Sequence, residues 1–293
     1  MLDLVKAYEN YLCKVKKASD NTVFSYMRDI RQFSDWAHGE GVALVDATQV
    51  NIRSYFKHLK SAGKSSSTIS RCMASLKNFY AYLVSTGFLE QTPVMEIHID
   101  RGEKKLPQIL TNKEIELLLA QPLCIDEKGY RDKAMLEVMY ATGIRVSELI
   151  ELNIDDVNLE MGVIQCTNAR RGRVIPLYPA ALRALKAYIK DIRNTMVSDP
   201  YEQALFVNVS GARMSRQGFW KILKSYQASA GIEKEITPHT LRHSFAVHLL
   251  ENGADIDALQ ELMGHCDISS TQMYTQMLNQ KIKSVYKKCH PKA

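Results

Sequence analysis

Four basic side chains in this sequence have the types and spacing that fit a phosphate group. His239 and Arg242 lie three residues apart in a segment with helical periodicity, so they are expected to share one face of a helix. Arg145 lies earlier in the chain, and His265 follows a glycine at the end of a later helical pattern. Guanidinium groups are always charged and present planar pairs of donors to phosphate oxygens. The sequence therefore predicts an anion site formed by Arg145, His239, Arg242 and His265.

Tyr274, nine residues after His265, is a nucleophile suited to such a site. A phenol has an ordinary pKa of about 10, so it needs cationic neighbours or a base to react as a phenolate. Attack by oxygen on a phosphodiester builds negative charge on the non-bridging oxygens, which Arg145 and Arg242 would stabilise. His239 can bind the same phosphate or move the nucleophile's proton, and His265 can donate to a phosphoryl oxygen. Both roles stay open for the two imidazoles.

Residues 1–98 form the first region of the chain, and their apolar periodicity predicts helices throughout. Four helices are expected, with the segments 19–21 and 46–48 supplying the caps of the second and third. The third helix is predicted to bury the set Val50, Ile52, Tyr55, Phe56 and Leu59. Residues 99–108 form a charged stretch that has no periodic apolar face, which is typical of a linker. The domains are thus predicted at 1–98 and 109–293.

A polar run at 64–67 begins the fourth helix of the first domain. Helix N-termini offer unpaired amides and partial positive charge to anions, and hydroxyls, lysines and arginines add contacts to phosphate oxygens. The side chains placed to make such contacts are Lys64, Ser66, Ser67, Arg71 and Lys77. An ordinary capped helix end with solvated charges explains the same pattern, and both interpretations remain open.

The second domain is predicted to be mostly helical with a small β-structure. Thr111 and Glu114 form a capping-box pattern at its start. The runs 162–167 and 173–178 are β-prone and flank a turn, which is typical of a hairpin whose basic tip carries Arg170 and Arg171. A further strand is predicted at 204–208. From residue 215 onward the pattern again indicates helices with short breaks.

Composition narrows the class of protein. The chain has 293 residues, 46% hydrophobic and 24% charged, which excludes disordered and fibrous proteins. No apolar run reaches the roughly 20 residues that cross a bilayer, so a cytoplasmic protein without membrane partners is expected. The net charge of +6 favours a polyanionic partner. Six cysteines without CxxC pairing indicate reduced thiols.

Four motifs resemble those of the tyrosine recombinase family. They are Ala141-Thr-Gly-Ile-Arg-Val-Ser-Glu-Leu149, His239-Thr-Leu-Arg242-His243, Leu262-Met-Gly-His265 and Tyr274, and their order and spacing also match. The resemblance covers nearly the whole chain and is strongest to compact Xer-type members. It implies a mainly α fold, with an N-terminal four-helix, SAM-like core-binding domain. The C-terminal catalytic domain is then mostly helical with a small antiparallel β-sheet.

The resemblance also implies the activity and the partners. Two domains would form a C-shaped clamp around double-stranded DNA, and Tyr274 would form a 3′-phosphotyrosyl bond without ATP, metal or another cofactor. The synaptic complex would be a homo- or hetero-tetramer with a second recombinase. The task would be chromosome-dimer resolution or integration and excision of a mobile element. Glu148 is expected to form a structural bond within its own motif rather than to act as a base.

One position departs from the family pattern and keeps other functions open. The family usually has a hairpin lysine that protonates the leaving 5′-oxygen, and the matching position is Asn168. Either Arg170 or Arg171 reaches the phosphate instead, or the acid comes from elsewhere, or cleavage is slow. The missing lysine makes an accessory DNA-binding protein of this fold an alternative, and a type IB topoisomerase, which shares the chemistry but has no site choice, is a second. A zinc enzyme using the histidines near His239 is another, although the ligand spacing is poor.

Overall fold

A computed structural model of the chain describes residues 4–94, 107–167 and 172–264, and it divides into the units Met1–Lys105 and Leu106–Ala293. Residues 99–106 of the predicted linker lie outside the described residues, so the predicted domain boundaries stay a prediction. The fold class is confirmed: both units are mainly helical, and the second contains a small antiparallel sheet. Every helix of the described ranges is too short or too polar to cross a bilayer.

The first unit contains the four helices that the periodicity predicts, the first of which ends in a π-helical turn at Tyr11–Val15. The helices are α1 (Leu4–Asn10), α2 (Asp20–Gly39), α3 (Gln49–Ser61) and α4 (Ser66–Ser85). Ser19, Thr48 and Ser65 cap α2, α3 and α4 by accepting a hydrogen bond from a backbone N–H three residues on. Local capping chemistry therefore sets where these helices begin.

The core of the first unit confirms four of the five inward positions predicted for α3. Ile52, Tyr55, Phe56 and Leu59 are buried, whereas Val50 is 72% exposed, so the prediction for Val50 is wrong. Val50 precedes Ile52 by two residues, about 200° around the helix, and therefore lies on the opposite side. The prediction relied on the apolar type of Val50, although its spacing from Ile52 does not fit the buried face of the helix.

The helices of the second unit are α5 (Asn112–Ala120), α6 (Glu127–Thr142), α7 (Val146–Glu151), α8 (Pro179–Ala187), α9 (Arg193–Met196), α10 (Arg216–Ser229), α11 (Pro238–Glu251) and α12 (Ile256–Met263). In the described residues of this unit, one large apolar cluster is accompanied by a smaller one formed by α11 and α12. A π-helical turn (Tyr188–Ile192) joins α8 to α9, and a 3-10 turn (Ile154–Asp156) precedes the sheet. The capping box predicted at Thr111 and Glu114 is present.

The sheet is antiparallel, with strands β1 (Val157–Asn158), β2 (Val163–Cys166) and β3 (Arg173–Pro176) in sequence order. Strands β2 and β3 form the predicted hairpin, in which Cys166 pairs with Arg173. The strand predicted at 204–208 is wrong, because this segment forms only isolated bridges, at Ala204 and Val207. Its amide at Leu205 donates to the Leu152 carbonyl beyond the end of α7 instead of to a sheet.

Helix α6 ends where the site begins. Gly143 caps it in the left-handed conformation, with φ +56, and a Cβ at this position would overlap the ring of Phe245 on α11. A glycine is required here for two reasons: the backbone angle disfavours L side chains, and α11 packs directly against the turn. The same turn leads to Arg145, so the packing of Phe245 helps to fix the backbone that carries this arginine.

Gly143→Ala tests this packing, with Gly231→Ala as the matched control. Gly231 has a similar φ of +64 but open space around its Cβ position, so alanine there should cost only about 1–2 kcal/mol of backbone strain. Alanine at 143 should cost about 1–3 kcal/mol more, because Phe245 must move. Denaturant unfolding of both variants measures the difference. Equal losses of stability in the two variants would show that the Phe245 ring moves aside at little cost.

Candidate active site

Three consecutive backbone carbonyls at the end of α12 accept hydrogen bonds from three different arginines. Arg173 Nε donates to Leu262 at 2.8 Å, Arg242 Nη2 to Met263 at 2.7 Å, and Arg145 Nη2 to Gly264 at 3.5 Å. The last carbonyls of a helix lack intrahelical partners and carry partial negative charge, which suits cations. The end of α12 thus brings together arginines from β3, α11 and the turn before α7.

Arg145 lies at the N-cap position of α7 and is held by Glu148. Its backbone N–H donates to Glu148 Oε2 at 2.7 Å, and its Nη1 donates to Oε1 at 3.1 Å. The expectation that Glu148 bonds within its own motif is therefore confirmed. The Arg145 side chain remains 41% exposed. Its guanidinium is oriented by the protein and still open to a ligand.

Glu148 is buried and binds a second arginine. Arg173 Nη1 and Nη2 donate to Oε1 and Oε2 at 3.1 and 2.9 Å, which forms a two-point fork. Burial by itself raises the pKa of Glu148, but the hydrogen bonds and charges of Arg173 and Arg145 outweigh it and hold the pKa below its usual range. The carboxylate is accordingly ionised and bridges the two guanidiniums.

Arg242 is the more deeply buried of the two arginines predicted to bind phosphate, at 4% exposure. Its Nη1 donates to the carbonyl of Gly143, two residues before Arg145, and its Nη2 donates to Met263. The structure therefore brings Arg145 and Arg242 to the same turn, although 97 positions separate them in the numbering. This convergence is what a shared phosphate site requires.

His239 and His243 lie one turn apart on α11 and stack, with ring centroids 6.3 Å apart. His239 is exposed, and it lies one turn before Arg242. Burial lowers the pKa of His243 to about 4, with further lowering by the charges of His239 and Arg242. His239 is thus the imidazole of this pair that is open to a ligand, while His243 stays neutral near pH 7.

Several predicted site residues fall outside the described residues. His265 directly follows Gly264, the last described position, and Tyr274 lies beyond it. Arg170 and Arg171, which fall between β2 and β3 in the sequence, also lie outside the described residues. Their roles stay predictions. In the described ranges, no group of three or more His, Cys, Asp or Glu side chains could hold a metal ion.

The side chains in and just before α4 that are predicted to contact phosphate are mostly solvent-facing. Lys64, Ser66, Ser67 and Lys77 are exposed, and the helix is capped by Ser65. Arg71 differs, because its Nη1 lies 3.0 Å from Oδ1 of the buried Asp29 and its side chain is only 32% exposed. Contact with a polyanion remains a prediction for all five.

Arg173 is the residue of this site whose role the sequence analysis missed. It is the first residue of the β-prone run 173–178, and its side chain is 6% exposed and faces inward. Strand alternation carried a signal, because Arg173 and the core residue Ile175 lie two apart and share the inner face of β3. An arginine at an inward strand position needs a buried acid as partner.

Comparisons with known proteins agree with this geometry. The model of the "Phage integrase family" matches residues 108–281, and that of the "Phage integrase, N-terminal SAM-like domain" matches residues 5–87. The chain is 39% identical to "Tyrosine recombinase XerD" of Staphylococcus epidermidis over the full length of both proteins. It is 41% identical to the protein of that name from Oceanobacillus iheyensis, over 99% of this chain and 98% of the relative.

Solved structures share the fold. The XerH site-specific recombinase bound to palindromic difH substrate, a post-cleavage complex, has a TM-score of 0.78 at 20% identity and covers 96% of this chain and 83% of that one. The Tn1549 transposon integrase in complex with transposon right end DNA has a TM-score of 0.77 at 20% identity, over 92% and 94%. At such identities the likeness concerns the fold alone.

The low pKa of His243 predicts a pH-dependent stability. The unfolded histidine binds a proton near pH 6.5, whereas the folded one does so only near pH 4, so stability falls as the pH drops through this window. His243→Gln should therefore lose less stability than the wild type between pH 7 and pH 5, measured by urea unfolding. His38→Gln, at an exposed position, should follow the wild type. An identical pH slope in all three proteins would contradict the assignment.

Proposed function

The chain belongs to the phage integrase family and is a site-specific tyrosine recombinase, and we propose that it cuts and rejoins double-stranded DNA through a bond between Tyr274 and a 3′-phosphate. The observation that carries this proposal is the convergence of Arg145 and Arg242 on the end of α12, immediately before His265. Two guanidiniums at one turn supply the charge that a phosphodiester under attack requires.

The proposed reaction exchanges one phosphoester for another. The Tyr274 oxygen attacks phosphorus, a new tyrosyl ester forms, and the bond from phosphorus to the 5′-oxygen breaks. The phenol proton passes to a base, for which His239 is our proposal, and the 5′-oxygen gains a proton as it leaves. Arg145 and Arg242 hold the non-bridging oxygens, and His265 donates to one of them. Rejoining is the reverse reaction with a second 5′-hydroxyl, so no energy source is needed.

In this proposal the segment between β2 and β3 stabilises the leaving 5′-oxygen, and water supplies its proton. The last pair of strands β2 and β3 is Cys166 with Arg173, and residues 167–172 lie between them in the sequence. Asn168 stands at the position of the family's usual lysine. Arg170 or Arg171 would stabilise charge on the 5′-oxygen, and water would supply the proton, since a guanidinium releases its own proton poorly.

DNA is the partner of this recombinase, and the finer details of assembly and place are proposals. We propose that four protomers, of this chain alone or with a second recombinase, form the synaptic complex. We also propose that it acts in the cytoplasm, on the DNA held there. Contacts to phosphates from Lys64, Ser66, Ser67, Arg71 and Lys77 would add affinity without reading sequence.

A covalent adduct with nicked DNA tests the proposed reaction. Genomic fragments of the source organism, nicked at random, act as suicide substrates because a short leaving strand diffuses away. The wild type should give an adduct that survives denaturation, and Tyr274→Phe should give none because it lacks the attacking oxygen. Tyr201→Phe is the matched control, since Tyr201 is 86% exposed, and it should react like the wild type.

Each contrary outcome of this adduct experiment has a defined meaning. DNA binding without any adduct in the wild type would favour the accessory, non-cleaving alternative. An adduct in Tyr274→Phe would assign the nucleophile elsewhere. Relaxation of supercoiled plasmid irrespective of sequence would favour the topoisomerase alternative.

Salt dependence tests the proposed DNA contacts of α4. Lys64→Ala and Lys77→Ala should each weaken binding to any duplex and reduce the slope of log K against log salt by about 1, because one phosphate contact is lost. Lys57→Ala, at an exposed position of α3, is the matched control and should leave the slope unchanged. Unchanged slopes in the two α4 variants would leave a solvated helix end as the correct interpretation.

A further inference from the structure

The Arg173 guanidinium donates three hydrogen bonds within the site. Its two Nη atoms bind both oxygens of Glu148, and its Nε binds the Leu262 carbonyl. The guanidinium is almost fully buried. A buried charge is tolerated only where it is paired and its donors are satisfied. Glu148 provides the paired charge for Arg173, and the Leu262 carbonyl accepts from its Nε–H group.

We infer that Arg173 is a positioning residue for strand cleavage, because it fixes the carboxylate that orients Arg145 and the helix end that precedes His265. The inference rests on the proposed function. Arg173 itself faces inward and does not need to touch DNA for this role. It ties strand β3 to α7 through Glu148 and to α12 through Leu262, so one side chain sets the spacing of the parts that carry the catalytic groups.

The contact between Arg173 and Gly264 strengthens this assignment. A Cβ built on Gly264 would lie 2.7 Å from Arg173 Nη1, so the backbone before His265 packs directly on the guanidinium plane. Gly264 also has φ +61, which suits glycine. Removing the guanidinium would leave a gap under this backbone and release the turn.

Lysine cannot replace Arg173 in this role. Its ammonium is a single point charge, whereas the observed contacts need a planar fork toward Glu148 and a third N–H pointing toward Leu262. Arg173→Lys therefore keeps the positive charge but loses the geometry. A variant that conserves charge separates positioning from electrostatic attraction for DNA.

The matched control is Arg193→Lys in the same unit. Arg193 is 3% exposed, and it donates hydrogen bonds to the carbonyls of Glu202 and Ala204, which lie outside the site. Both substitutions replace a buried arginine that binds backbone carbonyls. They should therefore cause similar losses of thermal stability, and they differ in whether the site is touched.

Three quantities are measured for the wild type and both variants: the midpoint of thermal unfolding, the Kd for a fragment trapped by the wild type, and the single-turnover rate of adduct formation. Below the unfolding midpoint, Arg173→Lys should bind DNA within about 2-fold of the wild type and form the adduct on the order of 10- to 100-fold more slowly, as misplaced catalytic groups do. Arg193→Lys should retain the wild-type rate within about 2-fold.

A rate for Arg173→Lys equal to that of Arg193→Lys would overturn the inference alone, whereas a wild type that forms no adduct would overturn the proposed function as well. If Arg173→Lys does not fold, Glu148→Gln/Arg173→Gln replaces it, because removing both charges avoids an unpaired buried ion. Its adduct formation should stay slow, and a wild-type rate in this double variant would equally overturn the inference.

Discussion

The second unit depends on the ion pairs that the buried carboxylate of Glu148 forms with Arg145 and Arg173. Three guanidiniums meet at the end of α12, and one carboxylate offsets only part of their charge. Without that carboxylate the guanidiniums would repel one another in a poorly solvated place. With it, they can be packed closely and still leave excess positive charge. That excess is what a phosphodiester can neutralise.

The two arginines that are proposed to bind phosphate are not equivalent. Arg242 is buried and donates to the Gly143 and Met263 carbonyls, so its position is set by the packing of α11 against the turn and α12. Arg145 is 41% exposed, and its bond to Gly264 is long at 3.5 Å. A long, exposed contact is the easier one to exchange for a phosphate oxygen. Arg242 is therefore the fixed arginine of the site, while Arg145 is the one more accessible to a ligand.

The sequence alone predicted those structural features that depend on neighbours within one helical turn. Caps such as Ser19 and Thr111 and stops such as Gly143 and Gly264 act through backbone groups only three or four residues away, so their patterns are legible in the chain. The strand predicted at 204–208 failed because its partner is not local. The buried segment bonds to the chain after α7, and no pattern within 204–208 specifies that.

The same distinction explains which parts of the site could be predicted. Arg145 and His239 stand at or beside a helix start, and His265 follows a helix stop, so each motif contains its own positioning signal. What joins the motifs is long-range: Arg173 and Glu148 lie 25 positions apart, and Arg173 and Leu262 lie 89 apart. Such contacts emerge only when β3 packs against α12. Local rules thus place each proposed catalytic group on its element, whereas buried ion pairs fix the positions of these elements relative to one another.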